Sequence, residues 1–382
     1  MRKILYVASA AKKHICHFHL PYLKWFQKQG YIVHVAAGDD FEEGERKTVP
    51  NCDRLFILPI SRSPFRLGNI LSLYYLKRLI RANEYDLICC NTPVGAAIAR
   101  LAARKARKTS GTKVIYISHG FHFYAGCPKL YNLYYLAEKA LVPFTDALVT
   151  INSEDYKIAK HICRGRNCKV YYVHGMGVDT KKYAAYSCSR EKMRDMLGIP
   201  REAKVLVSVS EINKNKNLAT TIKALSLIDD SSLYYVICGV GEELQINKRL
   251  VKTLGLEERV KFLGYRQDIN NILNAADIFL FPSIREGLGM APIEAMSAGI
   301  PVIASDIRGV REYAKGTASG SEQNSILISN PTDTKAFAEA IKLLAGDKEL
   351  CKQLGKNAKE SIRKFDIGCS MNAFTNIFKH YL

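Results

Sequence analysis

The sequence predicts an α/β protein of two doubly wound, parallel-sheet lobes, and three observations carry that prediction. Short runs rich in Val, Ile and Tyr alternate with longer segments of helical period through most of the chain, the rhythm of repeated βαβ units. The length, 382 residues, exceeds what one hydrophobic core usually serves, so two domains of roughly 150 to 200 residues are expected. A polar stretch at 179–189, just before a helical pattern over Arg190–Leu197, supplies one break near the middle.

In the first half the strand candidates are Ile4–Ala8, Ile32–Ala37, Leu55–Leu58, Leu87–Cys90, Val114–Ser118 and Ala147–Ile151. The second half repeats the pattern at Val205–Val209, Tyr234–Cys238, Val260–Leu263, Ile278–Phe281, Val302–Ala304 and Ser325–Ile328. The domains are therefore placed at 1–180 and 181–369. In 370–382 the residues Phe374, Ile377, Phe378 and Tyr381 fall at helical spacing, which predicts a final helix docked on the body by one face.

Hydrophobic residues at 48% and aromatics at 10% suit a globular fold, and no run approaches the roughly 20 apolar residues that span a bilayer. The apolar run Ile4–Ala8 is too short for a signal-peptide core and reads as a first strand. Eleven scattered cysteines without any C-x-x-C pair read as reduced thiols of a cytoplasmic protein, and no metal site is expected. Of the net charge of +20, residues 1–180 carry +14, from 27 Lys and Arg against 13 Asp and Glu. Such a field favours phosphates in a pyrophosphate-bearing substrate, an anionic lipid surface or nucleic acid, although general solubility explains it as well. No recognisable reading module accompanies the basic residues, which argues against nucleic acid.

The most informative stretch runs from Arg285 to Gly299. It follows the strand Ile278–Phe281, opens with a loop holding Gly287 and Gly289, sets Pro292 in a first helical turn, and is stopped by Gly299 and Pro301. A strand, a glycine turn and a short helix present free backbone N–H groups to an anion, and a diphosphate fits that arrangement. Glu286 before those amides and Glu294 about one turn inside the helix border the same small ligand, and carboxylates accept hydrogen bonds from vicinal hydroxyls. An ordinary account also exists: Glu294 complements the helix N-terminus and Glu286 is solvated.

Glu286 through Glu294 matches the E-x7-E motif of the family 4 glycosyltransferases, and the whole chain resembles those retaining enzymes. The resemblance includes Gly299–Ser305, Gly309–Glu312, Gly175–Asp179 and Val207–Asn217, and it narrows to bacterial members that build capsular or extracellular polysaccharide through His119–Phe123. It implies the GT-B fold, two Rossmann-like doubly wound domains facing a central cleft. It also implies that Glu286 contacts the transferred sugar, Glu294 the donor ribose, the backbone of Gly287, Leu288, Gly289 and Met290 the phosphates, and Lys216 the diphosphate. Tyr265 and Arg266 lie where relatives meet the base. By the same resemblance His119 approaches the anomeric carbon, while His19 and Phe121 are assigned to the acceptor side. One departure stands out: Glu211 occupies the place of the usual phosphate-binding arginine, so Lys214, an arginine elsewhere, or Lys216 alone must serve.

Other features are less committal. Gly239-Val240-Gly241 lacks the third glycine of a dinucleotide fingerprint and suits a plain strand-to-helix turn equally well. His14, His17 and His19 occupy the loop after the first strand, without the carboxylate partners expected of a metal site. Arg62–Arg81 combines Phe65, Leu67, Ile70, Leu71, Tyr74 and Tyr75 with Arg66, Lys77 and Arg78, and 104–108 is basic. Those segments read as a face for an anionic membrane, or as outer helices packed on the sheet.

The resulting expectation is a cofactor-free hexosyl- or N-acetylhexosaminyltransferase, peripheral on the inner face of the cell membrane. It would move a sugar from a UDP-sugar to a polyprenyl-diphosphate-linked saccharide in surface polysaccharide synthesis. A nucleotide-sugar epimerase of the same architecture and a non-catalytic partner protein are the rivals.

Overall fold

The computed structural model describes residues 2–124 and 127–382. The chain divides into two compact units, Met1–Met176 with Gly368–Leu382, and Gly177–Ile367. The sequence reading had placed the divisions at 180 and 369.

The first unit contains strands β1 (Lys3–Ala8), β2 (Ile32–Ala37), β3 (Arg54–Ile57), β4 (Leu87–Asn91), β5 (Lys113–Ser118), β6 (Ala147–Thr150) and β7 (Lys169–Tyr172). Helices α1 (Leu20–Lys28), α2 (Gly68–Asn83), α3 (Pro93–Thr109), α4 (Asn132–Leu141) and α5 (Ser153–Ile162) connect them. The sheet order is β3-β2-β1-β4-β5-β6-β7, every pairing parallel. Parallel strands covered on both faces need continuous apolar runs. Accordingly Ile4 to Ala8 and Leu87 to Cys90 have no exposed surface. The strand β7 escaped the sequence reading because it is a half-exposed edge strand of mixed polarity, Lys-Val-Tyr-Tyr, flanked by Arg164 and Arg166.

The second unit contains helices α6 (Thr180–Ala184) and α7 (Arg190–Met196), then β8 (Lys204–Val209), α8 (Leu218–Ser226), β9 (Leu233–Cys238), α9 (Leu244–Thr253) and β10 (Val260–Gly264). There follow α10 (Ile269–Ala275), β11 (Ile278–Phe281), α11 (Met290–Ser297), β12 (Val302–Ser305), β13 (Ser325–Ile328), α12 (Thr334–Gly346) and α13 (Lys348–Ser361). Its sheet, also parallel, runs β10-β9-β8-β11-β12-β13. This is the doubly wound order in which the chain builds outward from one central strand and then returns to its other side. Ligands in such sheets bind beyond the carboxyl ends of the two strands at that switch point, here β8 and β11, and in the first unit β1 and β4.

The final helix α14 (Ile367–Tyr381) returns to the first unit. Phe374 and Phe378 are fully buried, with ring centroids 4.9 Å from Tyr22 and 4.9 Å from Phe26 respectively. In the second unit, Val178 N–H donates to Phe365 O at 2.9 Å and Ile367 N–H to Val178 O at 2.8 Å, so the two segments at which the chain changes unit are bridged. Among the described residues no helix is long and apolar enough to cross a membrane.

The first unit holds one charge pair deep in its core. Arg100 of α3 donates to Glu138 of α4 at 2.8 Å, with side chains 1% and 9% exposed, and its guanidinium lies 4.3 Å from the Tyr116 ring centroid. The carboxylate keeps the guanidinium charged despite burial. Removing one partner of such a pair strands the other charge in a low dielectric. Glu138→Gln is expected to destabilise the fold by about 3 to 5 kcal/mol, read as a lowered urea midpoint; an unchanged midpoint would mean that the pair does not hold α3 to α4.

Candidate active site

Two loops of the second unit meet at its switch point, one after β8 and one after β11. They are stitched by backbone and amide bonds: Ile284 N–H donates to Asn215 O at 2.8 Å, Asn215 Nδ2 to Arg285 O at 2.8 Å, and Asn217 Nδ2 to Pro282 O at 3.0 Å. Asn217 takes the left-handed conformation, φ 53°, tolerated by asparagine, and Asn213 caps the turn by accepting from Lys216 N–H at 3.1 Å. The result is that Lys216 Nζ lies 2.6 Å from Glu286 Oε1, with side chains only 21% and 13% exposed, and 5.2 Å from the Phe281 ring centroid. Glu211 and Lys214 of the same loop are exposed, and Asn213 Nδ2 donates to Glu211 at 3.3 Å. Lys216 is thus the cation this loop turns inward.

Beyond Glu286 the chain passes through Gly287, Leu288 and Gly289 into α11. Leu288 is buried, so only its backbone is available, and Gly289 adopts φ 80°, where a Cβ would fall 2.9 Å from Phe281 Cε1. No side chain caps α11 among the described residues, which leaves the amides of its first turn to be met by a ligand or water. Tyr313, fully inside, donates to Gly289 O at 3.1 Å; burial first and the Glu286 charge second push its hydroxyl pKa well up. Gly309 packs on the same loop, and a Cβ there would lie 2.8 Å from Gly287 C and Leu288 N. The neighbouring Arg308 has its Nε fully buried.

Glu294 points from α11 toward α6. Burial raises its pKa, while the Tyr183 hydroxyl and the Lys182 charge pull it down. Tyr265, 75% exposed, stands at the end of β10, whereas Arg266 is held by Asp268 in a two-toothed pair at 2.8 and 2.7 Å. Gly239 and Gly241 act as packing glycines: a Cβ on Gly239 would fall 1.8 Å from Ser210 O, and one on Gly241 2.2 Å from Ile212 O. Their turn supports the loop that carries Lys216.

In the first unit Phe121 and His19, the two residues assigned to the acceptor side, are both buried. Phe121 is 3% exposed and stacks on Phe123 at 4.7 Å in the core, because its backbone N–H is drawn to the buried Asp155 carboxylate at 3.0 Å. His19 is fully buried at the start of α1. Instead, a cavity of about 770 Å³ at the ends of β1, β2 and β3 is lined by Lys13, Asp39, Asp40 and Arg62 with Ser9 and Ala10. His119, at the end of β5, lies against His14 and His19, with ring centroids 4.4 and 5.3 Å apart. Burial lowers His119 to about 4 and His14 and His19 well below their usual value.

The family model described as "Glycosyl transferases group 1" matches residues 189–361, and "Glycosyl transferase 4-like" matches residues 3–152. EpsD of Bacillus subtilis (strain 168), named as a glycosyltransferase, is 40% identical over 387 aligned residues, covering 100% of this chain and 97% of its own. The chain belongs to this glycosyltransferase family. A second relative, the Escherichia coli UDP-Gal:alpha-D-GlcNAc-diphosphoundecaprenol alpha-1,3-galactosyltransferase, is 29% identical, covering 81% of this chain and 79% of its own. Among solved structures, Anabaena Alr3699/HepE in complex with UDP and glucose superposes with a TM-score of 0.79 at 21% identity, over 99% of this chain and 100% of its own. Sucrose-phosphate synthase from Thermosynechococcus elongatus gives 0.80 at 18%, over 100% and 99%. These structures share the fold, two Rossmann-like domains of the GT-B type.

The sequence reading assigns Lys216, Glu286, Glu294 and the 287–290 backbone to the donor site, and in the structure they lie in the segments that follow β8 and β11. It did not find Asn215 and Asn217, which stitch the loops, nor Tyr183 and Tyr313, which face the two glutamates from distant segments. Those four carry no local signature. Because Gly309 leaves no room for a methyl group against backbone, Gly309→Ala is expected to lower glycosyl transfer at least about tenfold, or ~1.4 kcal/mol in barrier, with the far-ultraviolet circular dichroism unchanged; wild-type turnover would contradict the packing argument.

Proposed function

We propose that this enzyme moves a sugar, with retention of anomeric configuration, from a UDP-sugar to a polyprenyl-diphosphate-linked saccharide at the cytoplasmic face of the membrane during surface polysaccharide assembly. The observation that carries the reading is the Lys216–Glu286 pair beside the uncapped start of α11. The diphosphate takes the α11 amides and Lys216, which exchanges its carboxylate partner for phosphate oxygens. Arg308, next to the glycine that packs on this loop, supplies the second cation that Glu211 does not. Glu286, released from Lys216, accepts from sugar hydroxyls, and Glu294 accepts from the ribose. Tyr265 offers its exposed ring to the uracil. His119 approaches the anomeric carbon of the sugar.

In the transfer itself the bond from the anomeric carbon to the diphosphate oxygen breaks and the acceptor hydroxyl oxygen bonds that carbon on the same face. The hydroxyl proton passes to the departing diphosphate oxygen. Lys216 and the helix amides meet the charge that develops on the leaving group, the place where preorganised dipoles count most.

Support for the acceptor comes from two sides. The printed names of two relatives, the E. coli galactosyltransferase and the Campylobacter jejuni N,N'-diacetylbacillosaminyl-diphospho-undecaprenol alpha-1,3-N-acetylgalactosaminyltransferase, specify undecaprenyl diphosphate acceptors. The first unit also presents Phe65, 91% exposed, with exposed Leu67, Ile70, Leu71, Tyr74 and Tyr75 on and before α2, beside Arg66 and Arg78. Apolar and basic side chains on one surface suit an anionic bilayer.

The test is nucleotide release from a panel of UDP- and GDP-sugars, with and without a bacterial lipid extract, for the wild type and Glu286→Gln. Release that requires the lipid, follows one UDP-sugar and falls at least about a hundredfold in the variant, ~2.7 kcal/mol, is expected. Conversion of a donor without lipid and without nucleotide release would replace this reading with an epimerase.

A further inference from the structure

We propose that His14, His19 and His119 form a three-imidazole site in the first unit for a Zn²⁺-class transition-metal ion. The sequence reading expects no metal, because no C-x-x-C pair occurs and His14, His17 and His19 lack carboxylate partners. Folding brings His14, His19 and His119 to one point. His14 sits on a single π-helical turn, Ala11–Cys16, directly after β1; His19 begins α1; and His119 ends β5. One ring nitrogen from each can be chosen so that all three lie within 4.8 Å of one another.

The nitrogens are also unused. Nε2 of His14, both nitrogens of His19 and Nε2 of His119 are buried without a hydrogen-bond partner among the described residues. A buried polar atom without a partner is costly, and each of the three clustered rings carries at least one such nitrogen. The surrounding described residues do not supply a partner. Phe18 lies 5.4 Å from His14 and 5.2 Å from His119 by ring centroids, and Tyr6 lies 5.5 Å from His19. Simple aromatic packing would account for the rings but not for the buried nitrogens left without a partner. The π-turn points the same way, since such single-turn insertions occur often at functional sites.

The donor set decides the class of ion. Imidazole without carboxylate suits Zn²⁺, Cu²⁺, Ni²⁺ or Co²⁺, and does not suit Mg²⁺ or Ca²⁺. Tetrahedral Zn²⁺ with Zn–N of about 2.0 to 2.1 Å places its ligand nitrogens roughly 3.3 Å apart, so nitrogens now within 4.8 Å of one another would close by up to about 1.5 Å on binding. Three protein ligands leave the fourth position for water or an oxygen of a bound substrate. The ion would use one nitrogen of His119 and leave the other, so the site neither requires nor replaces the donor site of the second unit.

The experiment uses the full chain without a polyhistidine tag, stripped with chelator, dialysed against Zn²⁺ and then against buffer, with metal content measured by mass spectrometry. A parallel Co²⁺ titration follows the d–d absorption of the bound ion. One Zn²⁺ per chain is expected in the wild type and in His17→Gln, which lies outside the cluster, with no displacement by excess Mg²⁺. His14→Gln and His119→Gln should each weaken binding by more than the roughly 10- to 100-fold that loss of an outer-shell partner costs. Absence of stoichiometric Zn²⁺ and of a Co²⁺ band in the folded wild type would overturn the proposal without recourse to any variant. So would full occupancy in His119→Gln, the most accessible of the three positions.

Discussion

The architecture of the second unit converges on one contact, the ammonium of Lys216 held 2.6 Å from the carboxylate of Glu286. Neither residue is placed by its own loop alone. The β8 and β11 strands are neighbours only because the chain builds outward from β8 to β10 and then returns, and that crossing sets the two loops side by side. The amides of Asn215 and Asn217 then fasten one loop to the other, and Gly239, Gly241 and Gly309 let backbone approach backbone from behind. A partly buried ion pair of this kind contributes little net stability, because desolvation offsets attraction. In the proposed reading its value is poise, because both charges are partly desolvated before a diphosphate and a sugar arrive.

The two units repeat one topology but invest it differently. In the second, the carboxyl edge of the sheet gathers charge and free amides. In the first, that edge gathers buried histidines and a cavity edged by Lys13, Arg62, Asp39 and Asp40. The first unit also buries an intact charge pair, Arg100 with Glu138, and recruits α14 through Phe374 and Phe378 from the far end of the chain. That helix joins the first unit from a part of the sequence far from its partners there.

Most strands were legible in the sequence because a parallel sheet covered on both faces demands unbroken apolar runs, and β1, β4 and β11 are such runs. The edge strand β7 was not, since half-exposed residues do not follow that rule. At the site, the glycine turn before α11 and its two glutamates declare themselves by spacing, and Lys216 by its place after a strand. Phe121 and His19 are buried, which their place in the sequence does not announce. Residues just past a strand are often ligand contacts, but whether such a side chain turns outward is decided by distant partners, here Asp155 for Phe121 and the aromatic cluster for His19. The meeting of His14 with His119 across 105 positions, like the stitching by Asn215 and Asn217, exists only in three dimensions.

If Lys216 serves the diphosphate and Glu286 the sugar, calorimetric titration of UDP into Lys216→Met and Glu286→Gln separates the two roles: Lys216→Met should weaken UDP by at least about tenfold, ~1.4 kcal/mol, whereas Glu286→Gln, which frees Lys216 from its partner, should bind UDP as tightly as the wild type or more so. Equal weakening in both variants would contradict it, since Glu286 would then act on the nucleotide or merely hold the loop.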